Sequence, residues 1–290
     1  MLPLPPPVRG PAGRDPWGGL LPDALPPRVR PGGPPLLGGA LRLGNSRDGD
    51  GVLLRLYPGL RVLPEPPHQP ANFGKPLTED ELYAAFQRLA DQGASCIELV
   101  TPTQFTHVLA RVLERPVPGG LPVVWNSGGY ERPDVLKTLE GRVDVYLPDL
   151  KYVTPSLAER YSGAADYPEA AKAAILEMFR QRGTARLENG LLKSGVLIRH
   201  LVLPGQVNEA KRVMDWVADT FPSGAVLFSL MAQYTPAGEL GGFPELQRPL
   251  RPSELRAAKM YMENLGLAGY VQELGSCGER FIPAFDLTGL

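Results

Sequence analysis

The sequence predicts an α/β fold built on a mostly parallel sheet. Beyond Asn72, short apolar segments of strand type alternate with amphipathic helical segments in about five or six repeats. The strand segments, such as CIELVTPT and GVLIRHLVLPG, are almost continuously apolar, which is typical of parallel strands covered on both faces. This alternation favours a partial (β/α)6 barrel over a doubly wound sheet.

The first predicted helix of this region begins at a capping box formed by Thr78 and Glu81, and apolar residues then recur at helical spacing. The segment FTHVLARVLER is also predicted to be helical, and a further helix covers residues 133–139, with proline in its first turn. Between and after these helices, the predicted strands are CIELVTPT, LPVVWNSGGY and VDVYLPDLKY.

The second half of the chain continues the pattern. Helices are expected around residues 155–161 and 168–182, and Asn189-Gly190 is typical of a two-residue hairpin turn. The remaining predicted elements are the strand GVLIRHLVLPG, a helix over 208–220, the strand AVLFSLMAQYTP, a helix over 253–265 and the short strand YVQELGS.

Composition limits the functional classes. The 290 residues are 43% hydrophobic with a net charge of −1, so the chain can bury a core and has no bulk attraction to nucleic acid or anionic membrane. No apolar run approaches the roughly 18 residues of a membrane helix. The two cysteines, Cys96 and Cys277, are far apart and do not have the spacing of a metal site or a disulfide framework. We therefore expect a cytoplasmic protein.

Composition also divides the chain into two parts. Residues 1–70 contain 17 of the 33 prolines and no Phe, Ile, Thr, Lys or Cys. Such a segment cannot bury enough apolar surface to fold alone. Residues 1–71 are therefore predicted to be a poorly ordered Pro/Gly-rich segment, and residues 72–290 to be the α/β barrel domain.

Polar residues collect where the predicted strands end, which is where barrels of this class place their chemistry. They are Thr101, Thr103, Asn126, Ser127, Asp149, Lys151, Arg199, His200, Gln233, Tyr234, Gln272 and Glu273. Arginine binds a carboxylate through two hydrogen bonds, and aspartate holds an ammonium or a cation. The set therefore suits a small zwitterionic or carboxylate-bearing ligand.

Several of these residues have a purely structural alternative. Arg199 and His200 are adjacent on a strand, so only one of them should face the mouth of the barrel, and His200 is equally typical of a core histidine. Asp149 and Lys151 share a face, and an internal ion pair is the alternative to a binding role. Residues 126–129 are also compatible with plain turn chemistry.

Eight segments together resemble a known family over about Asn72–Asp286. They are NFGKPLT, ELVTPTQFTHV, PVVWNSGGYE, VDVYLPDLKY, RYSGAADYPEAAKAAI, IRHLVLPG, SLMAQYTP and VQELGSCGERFIPAFD. The chain resembles the radical SAM proteins related to pyruvate formate-lyase activating enzyme. The resemblance implies a partial (β/α)6 barrel that binds S-adenosylmethionine across its mouth, with a 4Fe-4S cluster that reduces the sulfonium and releases a 5′-deoxyadenosyl radical.

The resemblance implies cofactor-binding roles for seven strand-end residues. Asn126 and Ser127 would lie by the ribose, Asp149 and Lys151 by the aminocarboxylate with a possible bound cation, Arg199 at the methionine carboxylate, and Gln233 and Tyr234 near the adenosyl group or the substrate. The target of the radical would be a partner protein that carries a glycyl radical site, or a small molecule.

The cluster ligands of the family are missing from this chain. The family holds three irons through Cys-x3-Cys-x2-Cys after the first strand, because soft thiolates suit such a cluster. No cysteine precedes Cys96. We therefore expect no metal ligands and no radical chemistry from the chain as written. The alternatives are a Schiff-base lyase that uses Lys151, or a non-catalytic protein that binds S-adenosylmethionine or acts as a scaffold.

Leu56, Leu60 and Leu63 stand where the cysteines should be and have the same spacing. A CTG leucine codon read one nucleotide later becomes a cysteine codon when C or T follows. Residues 54–69 read in this way permit SGCTLGCVFCQNHPIS, which is close to the family motif. The first ten residues likewise permit CCPCPHRCGV, similar to an N-terminal CxxCPxxCGV element of the family.

We therefore hypothesise that residues 1–71 are an out-of-frame translation; the alternative is a natural relative whose N-terminus has diverged. Sequencing of the coding DNA across codons 1–75 is expected to show cysteine codons at positions 56, 60 and 63 in the frame one nucleotide later. Any other codon at these three positions would exclude the frame hypothesis.

Overall fold

The computed structural model describes residues 51–53, 77–188, 191–236 and 240–272, with the backbone alone for 51–53. Most of the Pro/Gly-rich segment, including Leu56, Leu60 and Leu63, lies outside the described residues. Glu273 and Cys277 also lie outside them, so the predictions made for these positions stay predictions.

Strands and helices alternate along the described chain. The strands are β1 (Gly51–Leu53), β2 (Ile97–Val100), β3 (Val123–Ser127), β4 (Val145–Pro148), β5 (Arg186–Glu188), β6 (Leu191–Leu201), β7 (Leu227–Met231) and β8 (Gly269–Val271). The α-helices are α1 (Glu79–Asp91), α2 (Thr106–Val112), α3 (Pro133–Leu136), α4 (Pro155–Ser162), α5 (Tyr167–Arg182), α6 (Val207–Thr220) and α7 (Pro252–Leu265).

Within the described residues, the strands form one eight-stranded sheet in the order β1-β2-β3-β4-β6-β7-β8, with β5 paired to β6. All neighbours in this order are parallel, and only β5 is antiparallel. Six of the parallel strands follow residue 72, as the repeat count predicted. Because β1 and β8 are the two edges of the described sheet, the architecture is an open, partial α/β barrel, which confirms the predicted fold class.

The predicted antiparallel pairing of the hairpin strands is confirmed, since Glu188 of β5 pairs with Leu191 of β6, while the turn residues Asn189 and Gly190 lie outside the described residues. The strand that follows begins at Leu191, four residues earlier than expected, because the second strand of the hairpin continues directly into the long buried strand. Gly195 allows the close packing at this point. A Cβ there would lie 2.6 Å from the Cα of Ala185.

The capping box of α1 forms as predicted. The Thr78 hydroxyl accepts a hydrogen bond from the Glu81 amide at 3.2 Å, and the Glu81 carboxylate accepts one from the Thr78 amide at 2.8 Å. These bonds satisfy two backbone donors that the first helical turn leaves without partners. The buried face of the helix consists of Leu82, Ala85, Phe86 and Leu89, which are the apolar residues at helical spacing in the sequence.

Both faces of the sheet are buried, as its apolar strands predicted. One face packs against the helices in the main core, which contains Trp125, Tyr146 and Phe228. The other face carries a smaller apolar cluster, which we call the apolar floor; its buried members are Cys96, Val124, Val145, Leu147, Leu192, Leu197 and Leu227. Further along the strands, toward their carboxyl ends, this second face becomes polar.

The helices can be compared in length and hydrophobicity with membrane-spanning helices. None of those in the described part of the chain has both the length and the hydrophobicity that crossing a bilayer requires.

Replacement of Thr78 by alanine should lower the free energy of unfolding by about 1 kcal/mol, because one amide of α1 then loses its acceptor. The shift of the urea midpoint measures this loss. Thr78→Ser keeps the hydroxyl and should remain within a few tenths of a kcal/mol of the parent. An equal loss in both variants would contradict the capping role.

Candidate functional site

The carboxyl ends of β4 and β6 bring two predicted residues side by side. Asp149 follows β4 and forms an isolated parallel bridge with Arg199 of β6. The Leu150 amide donates to the Arg199 carbonyl oxygen at 2.8 Å, which continues the pairing past the end of β4. Because residues in register on neighbouring strands point to the same face, the two side chains meet.

Asp149, Lys151 and Arg199 form a compact charged group, which we call the carboxyl-end cluster. Arg199 Nη2 lies 2.7 Å from Asp149 Oδ1, and Lys151 Nζ donates to Asp149 Oδ2. Burial alone would raise the pKa of Asp149, but the positive charges of Arg199 and Lys151 outweigh it and hold that pKa below its usual value. One carboxylate thus lies between two cations.

The cluster is sheltered but accessible, since each of its three side chains is 15–17% exposed. Its formal charge is +1, so it can accept one more negative charge. Within the described residues, the buried Nε of Arg199 has no hydrogen-bond partner. An unpaired buried donor is unfavourable, and a ligand acceptor would relieve it.

Asn126 lies on the same face, next to a carboxylate that the sequence analysis did not single out. Its Nδ2 donates to Glu98 Oε1 at 2.7 Å, and both residues are buried. Burial raises the pKa of Glu98, although the Asn126 hydrogen bond and the Arg199 charge partly oppose the shift. A glutamate in the otherwise apolar strand CIELV was the available signal for this residue.

Ser127 occupies the position after Asn126 and, by strand alternation, faces the other way. It is buried and hydrogen bonds with Glu131, which also accepts a bond from the Thr103 hydroxyl at 2.7 Å. Burial is the main reason that the pKa of Glu131 is raised, although these hydrogen bonds oppose the shift. The structure thus brings Ser127 and Thr103 to Glu131, which also went unrecognised in the sequence.

Tyr234, which follows β7, forms its hydrogen bond with the backbone of another segment. The Tyr234 hydroxyl donates to the Leu246 carbonyl oxygen at 2.8 Å, and its ring belongs to the main core. Gln233 is partly exposed and Gln272 follows β8. The binding roles of Gln233 and Tyr234 stay predictions.

Two side chains fix the backbone that carries the cluster. His200 Nδ1 lies 2.7 Å from the Leu150 carbonyl oxygen, so this nitrogen carries the proton. Burial lowers the pKa of His200, which matches the core-histidine alternative. On the following segment, the amides of Val153 and Thr154 donate to Glu209 Oε1 at 2.7 and 2.8 Å.

The loop after β3 approaches the same backbone closely. Gly129 has a φ of +75°, and a Cβ at this position would lie 2.2 Å from the Asp149 carbonyl oxygen. That separation is far inside van der Waals contact. Only glycine fits here without displacing the residue at the centre of the cluster.

Comparison with known proteins gives limited similarity. No family model matches the chain. An uncharacterised protein of Methanocaldococcus jannaschii is 30% identical over 150 residues, which is 51% of this chain and 39% of that protein. The match therefore spans well under half of the relative.

Two solved structures are similar in part. A domain of pyruvate-formate lyase-activating enzyme from Bacteroides vulgatus matches 59% of this chain and 94% of its own length, with 12% identity and a TM-score of 0.45. A radical SAM methyltransferase from Sphaerobacter thermophilus matches 68% of this chain and 57% of its own length, with 14% identity and a TM-score of 0.46. At these scores, the fold assignment rests on the strand order described above.

Replacement of Gly129 by alanine should destabilise the chain by about 1–3 kcal/mol, since the methyl group overlaps the Asp149 carbonyl oxygen. Chemical denaturation measures the change. Gly128→Ala is the matched control, because a Cβ at Gly128 meets nothing within 4 Å. Equal effects of the two substitutions would show that the close approach at Gly129 is not the cause.

Proposed function

We propose that this chain is a radical SAM-type protein of the activating-enzyme kind, and that the carboxyl-end cluster binds the aminocarboxylate of S-adenosylmethionine. The observation that carries the proposal is the cluster itself, with one carboxylate and two cations at the ends of neighbouring parallel strands. Ligands of α/β sheets bind at this edge, because the loops there surround a common space.

The charges of the cluster match those of the ligand. The methionine part of S-adenosylmethionine carries a carboxylate and an ammonium. Arg199 offers its fork of donors to the carboxylate, including the Nε that has no partner within the described residues. Asp149 accepts hydrogen bonds from the ligand ammonium. Two negative charges then lie in the site, those of Asp149 and of the ligand carboxylate, and Lys151 together with Arg199 compensates for them. This supports roles for these three residues.

Asn126 is the fourth residue of the proposed site. Its amide lies on the cluster face of the sheet and is held by Glu98, so it can meet a ribose hydroxyl. Ser127 and Tyr234 have hydrogen-bond partners on the helix-covered face. The proposal therefore rests on Asn126 and the three cluster residues.

The chain does not fit the iron-sulfur cluster that this family implies. Three thiolates are needed, and the whole sequence has two cysteines. Cys96 is buried in the apolar floor, just before β2 and away from the carboxyl ends of the strands. We propose that the polypeptide as written binds S-adenosylmethionine without cleaving it reductively.

The pairing of Lys151 favours a binding role over the Schiff-base alternative. A Schiff-base nucleophile must be a neutral amine, whereas Lys151 is ion-paired with Asp149. For a complete activating enzyme, the target would be a partner protein with a glycyl radical site or a small molecule, and we propose that this chain keeps the same kind of binding partner although it generates no radical. We place it in the cytoplasm because its cysteines show no disulfide pattern.

Isothermal titration calorimetry of the purified chain with S-adenosylmethionine tests the proposal. We expect measurable binding, and Arg199→Gln and Lys151→Ala should each weaken it by about tenfold or more, since each removes a charge-assisted hydrogen bond. 5′-Methylthioadenosine, which lacks the aminocarboxylate, should bind these variants and the parent alike.

Lys172→Ala is the matched control, because Lys172 pairs with Glu169 on the surface of α5. It should leave the affinity unchanged. Circular dichroism spectra of all variants show whether they are folded. Failure of the folded parent chain to bind S-adenosylmethionine would exclude the proposed function.

A further inference from the structure

We infer that Tyr167 is a positioning residue that holds Lys151 and Asp149 in the geometry that recognises an aminocarboxylate. The inference rests on the proposed function. Tyr167 is the first residue of α5 and lies in the segment RYSGAADYPEAAKAAI, for which the resemblance implied no binding role. Its importance follows from the three backbone groups that its hydroxyl meets.

The Tyr167 hydroxyl joins the loops that follow β3 and β4. It lies 2.9 Å from the Gly128 carbonyl oxygen and 2.8 Å from the Asp149 carbonyl oxygen, and it accepts a hydrogen bond from the Lys151 amide at 3.0 Å. A phenol has one proton to donate, so the two carbonyl oxygens share it. One side-chain oxygen thus serves three backbone groups.

The hydroxyl oxygen of Tyr167 replaces a backbone acceptor at the point where the pairing of β3 and β4 ends. The backbone bond from the Asp149 amide to the Ser127 carbonyl oxygen, at 2.9 Å, continues the pairing of β3 and β4. Beyond it, the Lys151 amide donates to the Tyr167 hydroxyl instead of to the backbone of the segment that follows β3. A buried amide without an acceptor is unfavourable, so the hydroxyl is needed at this point.

The ring of Tyr167 is itself fixed. It is 4% exposed, and its centroid lies 5.6 Å from that of Tyr130 and 5.9 Å from that of Tyr152. Burial raises the pKa of Tyr167 well above its usual value, so its hydroxyl remains a donor. Because the ring is rigid and belongs to α5, it keeps the backbone of Asp149 and Lys151 at a fixed distance from this helix.

His200 and Tyr167 hold opposite sides of the same segment. His200 hydrogen bonds to the Leu150 carbonyl oxygen from β6, whereas Tyr167 binds the neighbouring Asp149 carbonyl oxygen and the Lys151 amide. Loss of the Tyr167 hydroxyl would remove the anchors on the Asp149 carbonyl oxygen and the Lys151 amide but keep the His200 anchor on Leu150. The Lys151 ammonium would then lose its fixed position against the Asp149 carboxylate, while the fold stays intact.

Tyr167→Phe tests the inference, because it removes the hydroxyl and keeps the ring. We expect it to weaken binding of S-adenosylmethionine by about tenfold, the effect of one lost hydrogen bond, and to leave binding of 5′-methylthioadenosine unchanged. Tyr130→Phe is the matched control. The Tyr130 hydroxyl donates to Asp166 on the surface, and the Tyr130 ring packs against that of Tyr167, so the substitution keeps this ring contact. It should change neither affinity.

Hydrogen exchange of the Lys151 amide provides a readout that needs no ligand. Exchange should be faster in Tyr167→Phe and unchanged in Tyr130→Phe. Equal weakening of both ligands by Tyr167→Phe, or an unchanged exchange rate at Lys151, would overturn the inference. A parent chain that binds neither ligand would overturn the proposed function instead, and the exchange measurement would still decide whether Tyr167 positions the backbone.

Discussion

The site depends on one carboxylate that is held between two cations. Asp149 would be unfavourable as a sheltered charge, and Arg199 and Lys151 compensate for it. The pairing requires β4 and β6 to be neighbours in register, and the segment after β4 to keep its course. The strand order places β4 beside β6. Gly129 leaves room for the Asp149 backbone, and His200 and Tyr167 hold the segment after β4 in place.

Much of the fold could be predicted because its signals are local. The capping box at Thr78, the hairpin pairing of β5 with β6 and the continuously apolar strands each follow from a few adjacent residues. The cluster was also predictable, since strand alternation places Asp149 and Lys151 on one face and separates Arg199 from His200.

The supporting residues could not be predicted, because their roles arise from contacts between distant parts of the chain. Glu98 and Asn126 are 28 positions apart, and Glu209 reaches the amides of Val153 and Thr154 from another helix. Tyr167 reaches the cluster only because α5 packs beside the ends of two strands. Glu98 is conspicuous in its apolar strand, but the partner of each of these residues depends on the tertiary arrangement, which no local pattern in a single sequence encodes.

The apolar floor has a consequence for the charges above it. Its side chains fill the face of the sheet beneath the polar residues and leave the interior there with few groups that can reorient around a charge. Such a medium screens charges weakly, so attraction and repulsion in the neighbouring layer are stronger than they would be in water. Uncharged residues such as Val145 and Leu197 therefore help to set how strongly the charges of the cluster attract or repel any other charge near them.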